Sequence, residues 1–174
     1  MPASAVIRNP ATGAAIVIAI VGAAAILGAF LFQYWLGLEP CPLCLEQRIA
    51  YYFAVPLALI VAFADSRAAP RALVAAALVL IALAMLLNAG LGVYHAGVEW
   101  KFWPGPTDCA GPVTSLGRAS DLMRQLRNVT IVRCDEAAWR FLGLSLAGYN
   151  VLISLALAAI AVWGMLETRR SPNA

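Results

Sequence analysis

Residues 40–48 read PCPLCLEQR, and within them Cys41, Cys44 and Arg48 are spaced for chemistry. Two cysteines separated by two residues can close a disulfide or hold a soft metal ion. At the start of a helix the pair gains more. The unsatisfied N–H groups and partial positive charge there lower a thiol's pKa and make the thiolate available. Arg48 lies four residues beyond Cys44, so both project from one helical face. A guanidinium that stays protonated can stabilise a thiolate, or an anion forming beside it. The same arginine would also serve as a snorkelling anchor at a membrane surface. A second pair, Cys109 and Cys134, follows far downstream. Three readings of the four cysteines are open: redox-active dithiols, structural staples, and a four-thiolate zinc site, of which the wide second pair fits only half. His95, the single histidine, adds an imidazole suited to hydrogen-bond or protonate a reducible oxygen.

What must position these residues follows from composition. The 174-residue chain is 63% hydrophobic and 12% charged, with a mean hydropathy of +0.82. Soluble domains run at about 45–50% apolar and about 25% charged. A chain this short would expose too much apolar surface in water, so the bilayer is its solvent. The net charge of +3 is small and scattered, which argues against nucleic acid as a partner. Charge-free runs over 14–32, 49–64, 72–94 and 141–166 match the roughly 20 residues a spanning helix needs. The second run extends back to Cys44 with Arg48 at its mouth, and Pro56 inside it is tolerable among neighbouring helices. The expectation is an all-α membrane protein, a four-transmembrane-helix bundle forming one integral-membrane domain over 1–174. Spans fall at about 14–36, 44–64, 72–94 and 143–166, with extracytoplasmic loops at about 37–43 and 95–142. The first run is too long for the apolar core of a cleaved signal peptide.

Parity then places the cysteines. Four spans put both termini on one side, and the first and third connections together on the other. All four cysteines, and His95 at the end of the third span, lie on that second face. The short flanks of the opposite face carry Arg8, Arg67, Arg71, Arg169 and Arg170 against Asp65 and Glu167. The cysteine face is balanced between the two signs. Raw Lys/Arg counts favour the cysteine face, but the short flanks weigh more, so the termini are expected to be cytoplasmic. Cysteines on the oxidising side agree with that. Two dithiol pairs on one face, one at the membrane mouth, make an electron relay the sharper reading.

The long third connection has its own pattern. Leu116, Leu122, Met123, Leu126 and Val129 recur near helical spacing, with Ser120 a candidate N-cap. This predicts a short amphipathic helix lying on the membrane surface. Around Cys109, "FWPGPTDCAGP" is rich in Pro and Gly and is expected to be irregular and mobile. Asn88, seven residues before His95, reads as interhelical glue. Tyr51, Tyr52, Tyr94, Trp100 and Trp103 read as an interfacial aromatic belt rather than a cofactor box. Gln47 has no evident role in the sequence.

Three stretches, "CPLCLEQR", "YHAGVEWKFWPGPTDC" and "CDEAAWRFLGLSLAGYN", are similar to signatures of the bacterial disulfide bond formation protein B family, DsbB. The resemblance covers the chain from the first span through the fourth, with both cysteine pairs in order. It implies a thiol:quinone oxidoreductase of the bacterial inner membrane that reoxidises a periplasmic thioredoxin-like, DsbA-type oxidase. Carried onto this sequence, it implies that Cys109–Cys134 takes electrons from the partner and passes them to Cys41–Cys44. Cys44 would then deliver them to a membrane quinone, ubiquinone or menaquinone, with Arg48 and His95 as its binding residues. No metal is implied. A vitamin K epoxide reductase-like protein would place its membrane-proximal pair after its loop cysteines, the reverse of the order here. A non-catalytic four-span protein with stapled loops is the reading from a different class.

Overall fold

The computed structural model describes residues 9–106 and 134–170. Four long helices dominate it. Helix α1 (Pro10–Phe30) runs on into a π turn, Leu31–Trp35, and α2 spans Pro42–Ser66. Helix α3 covers Arg71–Glu99 and α4 covers Leu146–Arg170. All four are long and apolar enough to cross a membrane, so the chain is a multi-pass membrane protein. The outward faces agree: Ile20, Leu27, Ile60, Phe63, Leu73 and Leu87 are each at least 60% exposed in the isolated chain, where lipid would cover them.

Local signals set the ends. Pro10 and Pro42 sit at first helical positions, where a missing N–H loses nothing. Gly37, at φ +66°, turns the chain after the π segment and brings it back to Cys41. Helix α3 continues past Tyr94 to Glu99, so His95 lies inside its last turn and a half rather than beyond it. The charge-free run at 141 opens with a hairpin, not a helix. Strands β1 (Arg140–Phe141) and β2 (Leu144–Ser145) pair antiparallel across Leu142–Gly143. Both turn residues have positive φ, +49° and +82°, as a two-residue turn of the favoured hand requires. The amphipathic helix expected around 116–129, with Ser120, lies outside the described residues, as does Cys109.

Small side chains let the helices approach. Ala11, Ala14 and Ile18 of α1, Ala58 of α2, Leu78 and Ile81 of α3 and Ala161 of α4 are essentially inaccessible. Helix α4 packs most extensively on α3, and α2 packs against both α1 and α3. At the end remote from the cysteines, Thr12 donates a hydrogen bond to Asp65, tying the start of α1 to the end of α2. A Cβ on Gly164 would stand 2.7 Å from Ala14 Cβ, and on Gly13 would meet nothing within 4 Å. Gly164→Leu is therefore expected to destabilise the bundle by about 1–3 kcal/mol, while Gly13→Ala leaves it unchanged or slightly firmer. Thermal unfolding in detergent checks both; equal behaviour of the two would deny the close α1–α4 contact.

Candidate functional site

Cys41 caps α2: its sulfur accepts from the Cys44 backbone N–H at 3.3 Å, the place a serine hydroxyl usually takes. The two thiols are free, with sulfurs 2.7 Å apart. Cys41 is buried, and its thiol is pushed up from the ordinary range by its hydrogen bond with Cys44 and then by burial. Either sulfur can donate in the hydrogen bond they share, and Cys44 is the less buried of the two. In the reduced protein a small alkylating reagent is expected to modify Cys44 before Cys41. Mass mapping after brief exposure reads the order, and faster labelling of Cys41 would reverse the assignment.

Helix α3 brings His95 to the pair. Its Nε2 is 3.6 Å from Cys41 Sγ, and it is 3% exposed. On the other ring edge, Nδ1 lies 2.9 Å from Gln47 Nε2. A chain of amides, Gln47 and Asn88 buried and Asn150 half-buried between them, continues inward from there. Asn150 Nδ2 donates to Gln47 Oε1 at 2.8 Å, and Asn150 Oδ1 accepts from Tyr51 Oη at 2.7 Å and Asn88 Nδ2 at 3.2 Å. Asn88 also donates to Ser154 Oγ at 2.9 Å, which is the interhelical role expected of it. In a bilayer such groups must find partners within the bundle, and α2, α3 and α4 supply them to one another.

Arg48 is held differently. Its Nη1 donates to Gln33 Oε1 at 2.7 Å, and its guanidinium lies 5.4 Å from the Phe30 ring centre. The π turn thus serves the site, since it presents Gln33 at the mouth. Arg48 remains near enough to act on Cys44 electrostatically. Cys41, Cys44, Arg48 and His95 all line one cavity of about 440 Å³. Phe32, Trp139 and Phe141 cover part of it, their rings 5.1–5.8 Å apart in a row. Cys134 is buried and disulfide-bonded, and it packs with Cys41, Leu43 and Val98 at the same end of the bundle.

Tyr51 corrects the reading as belt. It is 5% exposed, lines the cavity and bonds Asn150, whereas its neighbour Tyr52 is 47% exposed. One residue along a helix is a rotation of about 100°, which separates core from lipid here. Tyr94, Trp100 and Trp103 are half-exposed, and Trp103 donates to the Tyr94 carbonyl at 2.8 Å while stacking on its ring. Gln47, Asn150, Glu99 and Trp139 are site residues that sequence reasoning passed over. Gln47 follows Cys44 by three residues and so shares its helix face, and Asn150 was visible as a polar interruption of a span.

A multi-pass helical bundle that holds a free Cys-x-x-Cys pair beside an apolar cavity, with a disulfide-bonded cysteine packed on it, is a membrane dithiol redox protein in build. The comparisons name the group more closely. The profile described as "Disulfide bond formation protein DsbB" matches residues 11–164. A disulfide bond formation protein B of Xanthomonas oryzae pv. oryzae is 33% identical over 145 residues, 82% of this chain and 83% of the relative. One from Xylella fastidiosa is 31% identical over 148 residues, 83% and 84% of the two chains, and one from Xanthomonas campestris pv. campestris is 30% identical over 143 residues, 81% and 82%. The chain belongs to the disulfide bond formation protein B family, and its role is in disulfide bond formation.

Proposed function

We propose that the protein is a thiol:quinone oxidoreductase of the bacterial inner membrane, with its cysteine face periplasmic and its termini cytoplasmic. It reoxidises a DsbA-type periplasmic dithiol protein and so sustains disulfide formation and electron transport to the quinone pool. The observation that carries the reading is the free Cys41–Cys44 pair opening into an apolar-walled cavity of about 440 Å³ between the helices. That volume is in the range of small-molecule sites, and its polar groups, Cys44, Arg48 and His95, converge on one region.

A bound quinone would accept two electrons and two protons. The chain's own part is to supply them: Cys41 and Cys44 each give up a proton and one electron, and a sulfur–sulfur bond forms between them. The pair returns to the dithiol when exchange with Cys109–Cys134 transfers the disulfide outward, and the partner's dithiol in turn reduces that second pair. Arg48, held by Gln33, keeps a fixed positive charge beside the sulfur that becomes anionic. His95 has its orientation set by Gln47 and faces the same space. The apolar walls exclude water from the transfer.

The test is quinone reduction by the purified chain in detergent, driven by a reduced thioredoxin-like dithiol protein. Turnover with ubiquinone or menaquinone is expected; none with either would overturn the reading. In the same assay Arg48→Ala is expected to lower kcat/KM for quinone about 10–100-fold, the value of one charge-assisted hydrogen bond. Disulfide exchange with the partner is expected to continue at its normal rate, and equal loss of both activities would count against this role for Arg48.

A further inference from the structure

We propose that the reduced Cys41–Cys44 pair, together with His95 and Glu99, forms a binding site for a thiophilic divalent cation of the zinc type. Cys41 Sγ, Cys44 Sγ and a ring nitrogen of His95 all lie within 4.8 Å of one another. Tetrahedral zinc, with bonds of about 2.3 Å to sulfur and about 2.05 Å to nitrogen, sets sulfur and nitrogen about 3.6 Å apart. Cys41 Sγ and His95 Nε2 are 3.6 Å apart. The two sulfurs, at 2.7 Å, would have to open by about 1 Å to reach the roughly 3.8 Å of such a centre, a small χ1 rotation of the less buried Cys44.

Glu99 supplies the independent observation. It lies one turn beyond His95 on α3, its side chain is 5% exposed, and its Oε1 is 3.8 Å from His95 Nε2. Its other oxygen, Oε2, has no hydrogen-bond partner, the sole buried side-chain oxygen or nitrogen so placed among the described residues. A buried carboxylate oxygen without a donor is unfavourable, and a cation would satisfy it. Glu99 lines the same cavity as the three other ligands. Two thiolates, a carboxylate and a divalent cation sum to −1, and Arg48 and Arg140 lie close enough to act on Cys44 and Glu99 respectively. A cation on His95 Nε2 moves the ring proton to Nδ1, so Gln47 must turn its carboxamide oxygen toward the ring, with Asn150 and then Asn88 turning in step so that each amide nitrogen again faces an oxygen. All three are isosteric half-turns.

The chemistry balances without a redox change: two S–H groups release two protons to solvent as two sulfur–metal bonds form. The disulfide form offers no thiolates, so the site exists only in the dithiol state. Its consequence for turnover rests on the proposed redox cycle. A bound cation engages the electron pairs the sulfurs would otherwise use to join, and holds the pair reduced.

The test uses the full chain in detergent carrying Cys109→Ser and Cys134→Ser, reduced and freed of reductant, titrated with Co²⁺ and then with competing Zn²⁺. One equivalent is expected, with the thiolate-to-cobalt charge-transfer band and the strong d–d bands of a four-coordinate centre, all lost once the pair is oxidised. His95→Ala and Glu99→Gln are each expected to weaken Zn²⁺ binding at least tenfold. Unchanged affinity in both variants, six-coordinate spectra, or equal binding by the oxidised chain would overturn the site. Should the serine pair impair folding, the same titration of the reduced chain with all four cysteines is expected to show one site weakened at least tenfold by His95→Ala, and the absence of any weakened site would overturn the proposal. Quinone turnover by the metal-free chain is measured separately. Turnover without metal binding removes this inference alone, and metal binding without turnover removes the redox reading alone.

Discussion

Cys44→Ser is expected to reduce quinone turnover at least about a thousandfold, to the uncatalysed background, because it removes the group that must form the new sulfur bond. The geometry makes this substitution almost purely chemical. Serine is smaller than cysteine by a fraction of an ångström per bond, and Cys44 is only partly buried. The helix cap is unaffected, since it uses the Cys41 sulfur and the backbone N–H of residue 44, which remains. Thermal unfolding should therefore stay near the wild-type value while turnover disappears. Stopped-flow following of quinone absorbance, with the reduced partner in excess, measures the first, and detergent melts measure the second. Residual turnover above about a tenth of wild type would mean that electrons reach the acceptor without the membrane-mouth pair.

The second large effect is structural. Asn150→Leu is expected to destabilise the bundle by about 2 kcal/mol and to loosen the site along with it. Asn150 accepts from Tyr51 and Asn88 and donates to Gln47. Interhelical hydrogen bonds in membranes average about 0.6 kcal/mol, which for three lost bonds gives about 2 kcal/mol. The larger penalty for stranded buried groups, about 1–3 kcal/mol each, applies less widely here, because Tyr51 and Asn88 both retain Ser154. Gln47 Oε1 is the group that loses its donor. Gln47 also faces His95 Nδ1, so the quinone KM is expected to rise in the same variant. A melting point lower by about 4–8 °C is the corresponding shift. An unchanged melting point would show that the amide chain carries no net stability. An unchanged KM would show that Gln47 does not orient His95.

These residues also mark how far the sequence could be read. The four helices were legible because the bilayer demands long charge-free runs, and this chain has four. Cys41, Cys44 and Arg48 were legible from spacing alone, since one helix start and one helical turn fix their relation. His95 could be placed on the right face by parity, but not beside Cys41, because that contact depends on how α3 is rotated against α2. The same ignorance of rotation put Tyr51 with Tyr52 in an aromatic belt. It also left Gln47 without a role, although its partner Asn150 is a polar break in an apolar span, as is Asn88, which bonds Asn150 in turn. Phe141–Ser145 reads as the start of a span by hydropathy, yet Leu142–Gly143 forms a tight turn there and the helix waits until Leu146. Composition is blind to that, and only the glycine hinted at it.

The position of the site has a bioenergetic consequence. Cys41, Cys44, His95 and Cys134 are gathered at one end of the bundle, while Thr12 and Asp65 close the other. Moving one elementary charge across a membrane against 100 mV requires about 2.3 kcal/mol. On the proposed reading, the electrons and the two protons of each cycle enter and leave from the end that carries the thiols. They travel together, and neither traverses the bilayer. The reaction is then electroneutral with respect to the membrane, and its driving force is the same in an energised cell as in a depolarised vesicle.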